Sequence, residues 1–290
     1  MGINRSGFYK WRKNKSSPPP GSKQKRREDA MELFSKYHGK YPSHGYRWLN
    51  AKIKLDCSDK SCPQANYSDQ FAHRVCKYLG IKSKAKKVCR YGKSKLRSEL
   101  LAKNFPNLLL RDLEPQRPLE IIVSDMTAFY HHSIYYELTL FMDLFNNEII
   151  AYYLTKKRGN PVGYYESLEQ VLKQKNSNLD YETILHTDQG SVYMSKEFNK
   201  KLARYNIIHS VSKPGTPTEN GAMEAINGWM KEELFGDSWL PDDCDTENAI
   251  KRYIHYFNYE RPAYALKYLT PIQYKQKYDK SVKNGKKVST

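Results

Sequence analysis

The chain has 290 residues, with 49 lysines and arginines against 31 aspartates and glutamates and a formal net charge of +18. That length holds two or three modules including a full catalytic core, and the charge points to a polyanionic partner. No apolar run is long enough to span a bilayer, which excludes a membrane partner. Five cysteines without a signal peptide predict a reducing cytoplasm, with the protein at the nucleoid when bound to DNA.

The charge is unevenly spread. Residues 1–110 carry 26 basic and 7 acidic side chains, and the rest carry 23 and 24. This predicts a DNA-gripping N-terminal region joined to an electrically balanced catalytic domain. Tyr46, Trp48, Tyr78 and Tyr91 interleave with the cations, which favours nucleic acid over a merely solvated surface.

In chain order, residues 1–22 read as a short basic amphipathic segment broken by the stiff run Ser16-Ser17-Pro18-Pro19-Pro20-Gly21. Residues 23–92 read as a helix-turn-helix-like DNA-binding region. A charged helix runs from Lys23 to Tyr37, Gly45 opens a second, and Ser68 caps a third that Gly80 ends. The candidate DNA contacts are Arg47 and the cations that follow the third helix, Lys82, Lys84, Lys86, Lys87 and Arg90. A bundle that only braces the catalytic domain is the competing reading, and the run of cations weighs against it. Cys57, Cys62, Cys76 and Cys89 lack the close pairing of most zinc sites, so they are expected to be reduced thiols. A basic linker, 93–114, should carry a helix near Ser98 to Asn104.

The catalytic domain is expected over 115–280. Ile121 to Phe129, Tyr135 to Leu144 and Glu148 to Leu154 read as three consecutive strands, with Asn146-Asn147 at the second turn. A helix from Pro161 to Lys173, a strand ending at Asp188, a helix from Ser195 to Tyr205, the strand Ile207 to Val211 and a helix carrying Glu224 follow. Thr246 starts a closing helix and Pro271 a last helical turn. The polar run from Lys280, with a tail at 281–290, is expected to be flexible.

Three acids stand out. Asp125 ends the apolar run Ile121-Ile122-Val123-Ser124, Asp188 ends a later strand, and Glu224 lies 35 intervening residues beyond it. That gap accommodates a helix and a strand, which can return the chain to the same sheet edge. On the Glu224 helix, Met223, Ile226, Met230 and Leu234 share one stripe, with Glu224, Asn227 and Lys231 on the face beside it. Asn227 and Lys231 are therefore candidate DNA contacts next to the acid. Asp143 is a rival carboxylate, expected mid-sheet in the second strand with a structural role. Glu219 is another, in a loop of the Pro214 to Asn220 stretch.

The runs His186-Thr187-Asp188-Gln189-Gly190, Glu219-Asn220-Gly221-Ala222-Met223-Glu224 and Tyr256-Phe257-Asn258, with Arg261-Pro262 and Leu269-Thr270-Pro271, resemble the second-frame product of bacterial insertion-sequence transposases of the IS-three group, relatives of retroviral integrases. The start, Gly2 to Trp11, resembles the opening of that product. Glu219-Asn220-Gly221 and Ala263 depart from the family pattern, neither at a metal-ligand position.

The resemblance implies a ribonuclease H-like mixed five-stranded α/β sheet flanked by helices, preceded by the small helical region. It implies an Asp125, Asp188, Glu224 triad binding two Mg2+ ions, replaceable by Mn2+, for DNA cleavage and strand transfer. The implied partners are double-stranded DNA (terminal inverted repeats and target), further copies of the chain on DNA, and an upstream-frame product. The alternatives are an inactive transposase kept as a DNA-binding regulator and a simple nuclease.

Overall fold

The computed structural model describes residues 5–16, 23–57, 66–85, 114–176, 181–212, 221–237, 239–241 and 244–283. The helix expected near Ser98 to Asn104, Cys62, Cys89, and the loop holding Glu219 lie outside the described residues. The chain divides into two compact units, Met1–Lys86 and Lys87–Thr290. Among the described residues no helix is long and apolar enough to cross a membrane.

The first unit is helical: α1 (Arg5–Ser16), α2 (Lys23–Lys40), α3 (Tyr46–Asp56) and α4 (Asp69–Tyr78). α2, α3 and α4 pack against one another over Ala30, Phe34, Leu49, Ile53, Ala72 and Val75. Ser68 caps α4, its hydroxyl accepting the Phe71 N–H at 3.3 Å. Gly80, at φ +68, ends it, with the Ile81 N–H returning to the Cys76 carbonyl. Asn50 joins α3 to α4, donating to the Tyr67 carbonyl and to Asp69. Cys57, Cys76 and Cys244 are free thiols, and burial pushes Cys76 up to about 11.

The second unit is built on β1 (Ile121–His131), β2 (Ile134–Asp143), β3 (Glu148–Thr155), β4 (Thr183–Thr187) and β5 (Ile207–Val211), in the order β3-β2-β1-β4-β5. β1, β2 and β3 form an antiparallel meander, and β4 and β5 run parallel to β1. His132 and Ser133, both at positive φ, form the two-residue turn between β1 and β2. This is the ribonuclease H-like sheet, mixed and flanked by helices.

α5 (Val162–Asn176) packs on β2 and β3, and α6 (Lys196–Ala203) on β5. Their core joins Ile122, Leu168, Val171, Leu185, Phe198 and Leu202. α7 (Gly221–Gly236) packs on β1, and α8 (Thr246–Tyr259) on β3. Edge strand β3 does not leave its ladder bare. Asn258 pairs with both backbone groups of Ile149, and Gln170 and Gln174 take backbone groups of Tyr152 and Ile150.

Two expectations are corrected here. Pro271 starts a helix of 13 residues, α9 (Pro271–Lys283), so the polar run from Lys280 is helical through Lys283. The helix persists because Phe145 meets Tyr274 and Tyr278 edge-on and Lys275 pairs with Glu148 at 2.9 Å. Asp143 is the last residue of β2 and not mid-sheet. It accepts the Leu119 and Phe145 N–H groups at 2.8 and 3.0 Å, which makes it a brace.

Candidate active site

β1 and β4 are parallel neighbours with Val123 level with His186. Two residues further along each chain stand Asp125 and Asp188, so the register sets these two residues level with each other, midway along β1 and just past the end of β4. β4 ends at Thr187 because Asp188 turns the chain: its Oδ1 accepts the Gly190 N–H at 2.9 Å. A Cβ on Gly190 would stand 3.0 Å from Asp188 Oδ1 and 3.2 Å from the Tyr193 ring, so a side chain there would crowd the turn.

Asp125 is half-buried on β1. Its Oδ1 accepts the Met126 N–H, and its Oδ2 accepts Asn227 Nδ2, both at 2.8 Å. This bond docks α7 against β1. Asn227 is buried, with its Nδ2 donating to the Asp125 carboxylate. Its Oδ1 is buried without a hydrogen-bond partner among the described residues. Position 224 lies in the first turn of α7, one turn before Asn227, while the Glu224 side chain lies outside the described residues. Lys231, one turn beyond Asn227, is half-buried.

α7 is held from its far end as well. Glu233, fully buried, takes two nitrogens of Arg261, with Nη2 to Oε1 at 2.6 Å, and the Tyr253 hydroxyl at 3.0 Å. Sequence reading missed this clamp, although Arg261 stands in one of the motifs quoted above. Nothing in the periodicity of α7 points from Glu233 to a residue 28 positions away.

A second unforeseen group supports the Asp188 turn. Asn199 Nδ2 donates to the Tyr193 and Ser195 carbonyls, which leaves its Oδ1 to accept from His209 Nδ1 at 2.7 Å. Burial, and then the neighbouring His186, pushes His209 down to about 4, so its ring is neutral at pH 7. With the proton on Nδ1, Nε2 is an acceptor, and it lies 2.9 Å from Thr187 Oγ1. That hydroxyl is also 2.8 Å from the Asp188 carbonyl. The chain Asn199, His209, Thr187 thus braces the backbone that presents Asp188.

Behind the carboxylates, Ser124 Oγ and the Tyr193 hydroxyl are 2.7 Å apart, and Tyr164 stands edge-on to Tyr193. Burial raises Tyr193 well above the ordinary phenol. Burial, then the charges of Asp188, Glu137 and Asp125, push Tyr164 up to about 12. Both phenols stay protonated at pH 7.

Among the described residues no three His, Cys, Asp or Glu side chains gather closely enough to hold a metal ion. Asp125 and Asp188 supply two oxygen donors, and the third expected one, Glu224, is the side chain outside the description. The residues present fit a hard divalent cation. All are oxygen donors, Asp188 is exposed, and Asn227 Oδ1 is unmatched among the described residues beside Asp125.

In the first unit, Arg47 is exposed on α3 over the Tyr46 ring, and Lys82 and Lys84 are exposed after α4. The Lys84 N–H donates to the Pro42 carbonyl and Ser83 Oγ to the Ser43 carbonyl, which fastens this segment to its own unit. Lys86, Lys87 and Arg90 lie outside the described residues.

The sheet order, with paired aspartates on adjacent parallel strands and a helix docked on one of them, defines a ribonuclease H-like polynucleotidyl transferase core. Integrase core domain profiles match residues 115–217 and 205–271. Transposase InsK of insertion sequence element IS150 from Escherichia coli strain K12 is 32% identical over 275 residues, 94% of this chain and 90% of that protein. A transposase-like protein of Haemophilus influenzae is 32% identical over 203 residues, 70% of this chain and 90% of that protein. The HTLV-2 integrase catalytic core domain in complex with magnesium is similar at TM-score 0.43 and 24% identity, covering 54% of this chain and 96% of that one. The chain belongs to the insertion-sequence transposases with an integrase core.

Proposed function

We propose that this transposase cuts DNA at insertion-sequence ends and joins those ends to target DNA, with Asp125, Asp188 and Glu224 as its metal ligands. The observation that carries the reading is the matched level of Asp125 and Asp188 on neighbouring strands, with α7 tied to Asp125 through Asn227. Two Mg2+ ions, or Mn2+ in their place, supply Lewis acidity at the scissile phosphate when bound. Asp125 and Asp188 offer them carboxylate oxygens. Asn227 keeps the Asp125 carboxylate turned, and the Gly190 N–H does the same for Asp188. The metal ligands would activate water or a DNA 3′-hydroxyl as the nucleophile, so the proposed reaction needs no covalent protein–DNA link.

Lys231 extends the same helix and contacts a phosphate near the cut. The region 23–92 grips duplex DNA through Arg47, Lys82, Lys84, Lys86, Lys87 and Arg90. Further copies of the chain and an upstream-frame product complete the assembly on the element ends.

The test is a strand-transfer assay on labelled element ends with Mg2+. Glu224→Gln and Asp188→Asn should each abolish cleavage and joining while duplex binding persists. Near-normal joining by Glu224→Gln would refute the site.

A further inference from the structure

Glu137 has no part in the chemistry above, yet it is a carboxylate only 3% exposed. Such a group is costly to bury unless its oxygens are bonded, and here they hold a loop. Both oxygens accept the Gly159 N–H, at 2.9 and 3.0 Å, and Oε1 also accepts the Tyr135 hydroxyl at 2.8 Å. Gly159 is at φ +65, a conformation a side chain would strain. Thr155 Oγ1 accepts the Lys157 N–H and Asn160 Oδ1 accepts the Val162 N–H, closing the turn at both ends.

The turn between β3 and α5 is therefore built, and it displays Lys156, Lys157 and Arg158, all exposed and without an ion pair among the described residues. Lys156 lies over the Tyr136 ring and Arg158 over Tyr135, at 5.8 and 5.1 Å from the centroids.

Its position follows from the register. Asp125 is level with Leu140, Leu140 with Tyr152, and Thr155 lies three residues further along β3. Two strand spacings across and three residue rises along put the start of the turn roughly 14 Å from Asp125. β3 runs in the same direction as β1, so the turn leaves the sheet at the end where Asp125 and Asp188 stand. Asp125, Asp188 and Glu137 make that end negative, and a polyphosphate reaching it needs cations beside it. About 14 Å is also close to the ~12 Å width of the DNA major groove, so cations there meet phosphates flanking the cut.

We propose that Lys156, Lys157 and Arg158 form a clamp for the DNA backbone beside the scissile phosphate, presented by the Glu137-held turn. The proposal rests on the DNA-cleaving reading of the carboxylate site.

The test uses the full chain and a short duplex of random sequence, titrated across salt concentrations in EDTA. A variant carrying Lys156→Gln, Lys157→Gln and Arg158→Gln should lose about 2.7 from the log–log salt slope, at about 0.9 per phosphate contact. A fourfold rise in salt would then weaken the wild type about 40-fold more than the variant. The control carries Lys277→Gln, Lys280→Gln and Lys283→Gln on α9, which packs by Phe145 at the opposite end of the sheet. It removes equal charge and should keep the wild-type slope.

An unchanged slope in the first variant, or an equal loss in the control, overturns the clamp. Because binding is read without metal, the two proposals fail separately. A wild type that binds as expected but neither cuts nor joins with Mg2+ defeats the function and leaves the clamp standing.

Discussion

Asp143 and Asp125 stand on neighbouring strands of one sheet, Asp143 level with Ile122 and Asp125 with Leu140, and they differ in surroundings. Each oxygen of both carboxylates accepts a hydrogen bond, Asp143 from two backbone N–H groups and Asp125 from the Met126 N–H and the Asn227 amide. Asp143 is wholly buried and raised by burial to about 6, at an end covered by α9. Asp125 is half-buried, and Asp188, level with it, is exposed. A fully buried carboxylate braces two backbone groups, whereas a level pair with one exposed member can take a cation.

The sharpest way to break this comparison is to exchange each aspartate for its amide. Asp125→Asn should lower strand transfer about thousandfold or more, since a metal site contributes several kcal/mol to such a step, with little change in urea unfolding. Asp143→Asn should do the reverse. Comparable activity losses in two well-folded variants would erase the distinction.

Next in size is the clamp on α7. Arg261→Met leaves Glu233 charged and buried, and should cost about 3–5 kcal/mol in unfolding free energy. Glu233→Gln combined with Arg261→Met should recover part of that loss. If the single variant unfolds like the wild type, the pair does not secure the helix.

Two buried groups carry opposite pH dependences. Asp143, at about 6, lies above its ordinary 3.8, so between those values the folded state holds the extra proton and stability falls as pH rises. His209, at about 4, lies below 6.5, so there the unfolded state holds the extra proton and stability rises with pH. Each amounts to about 3 kcal/mol, and they largely offset. Relative to wild type, Asp143→Asn should tilt the profile upward with pH between 4 and 6, and His209→Gln should tilt it downward. Urea unfolding across that window reads the tilt, and parallel profiles would contradict both assignments.

The smallest effect belongs to the brace behind Asp188. Thr187→Val removes one hydroxyl and should cost about 1 kcal/mol of stability. It should also weaken Mn2+ binding by calorimetry, an effect absent from the equally conservative Ser167→Ala on α5. Equal Mn2+ affinities in the two variants would confine Thr187 to a packing role.

Much of the fold was legible locally, because it rests on local physics. The meander, the β5 strand from Ile207 to Val211, the Ser68 cap and the Asn146-Asn147 turn follow from alternation, cap chemistry and turn residues a few positions apart. The Asp188-to-Glu224 spacing and the quoted motifs were equally readable, and with them the family.

What tertiary structure alone decided are the pairings between distant residues. The helical period placed Asn227 beside Glu224, and only docking against β1 set its amide on Asp125, 102 residues away. Glu137 and Gly159 meet across 22 residues, and Glu233 and Arg261 across 28. Periodicity states which face of an element is buried but not what lies opposite it. That is set when elements dock and each buried polar group must find a partner.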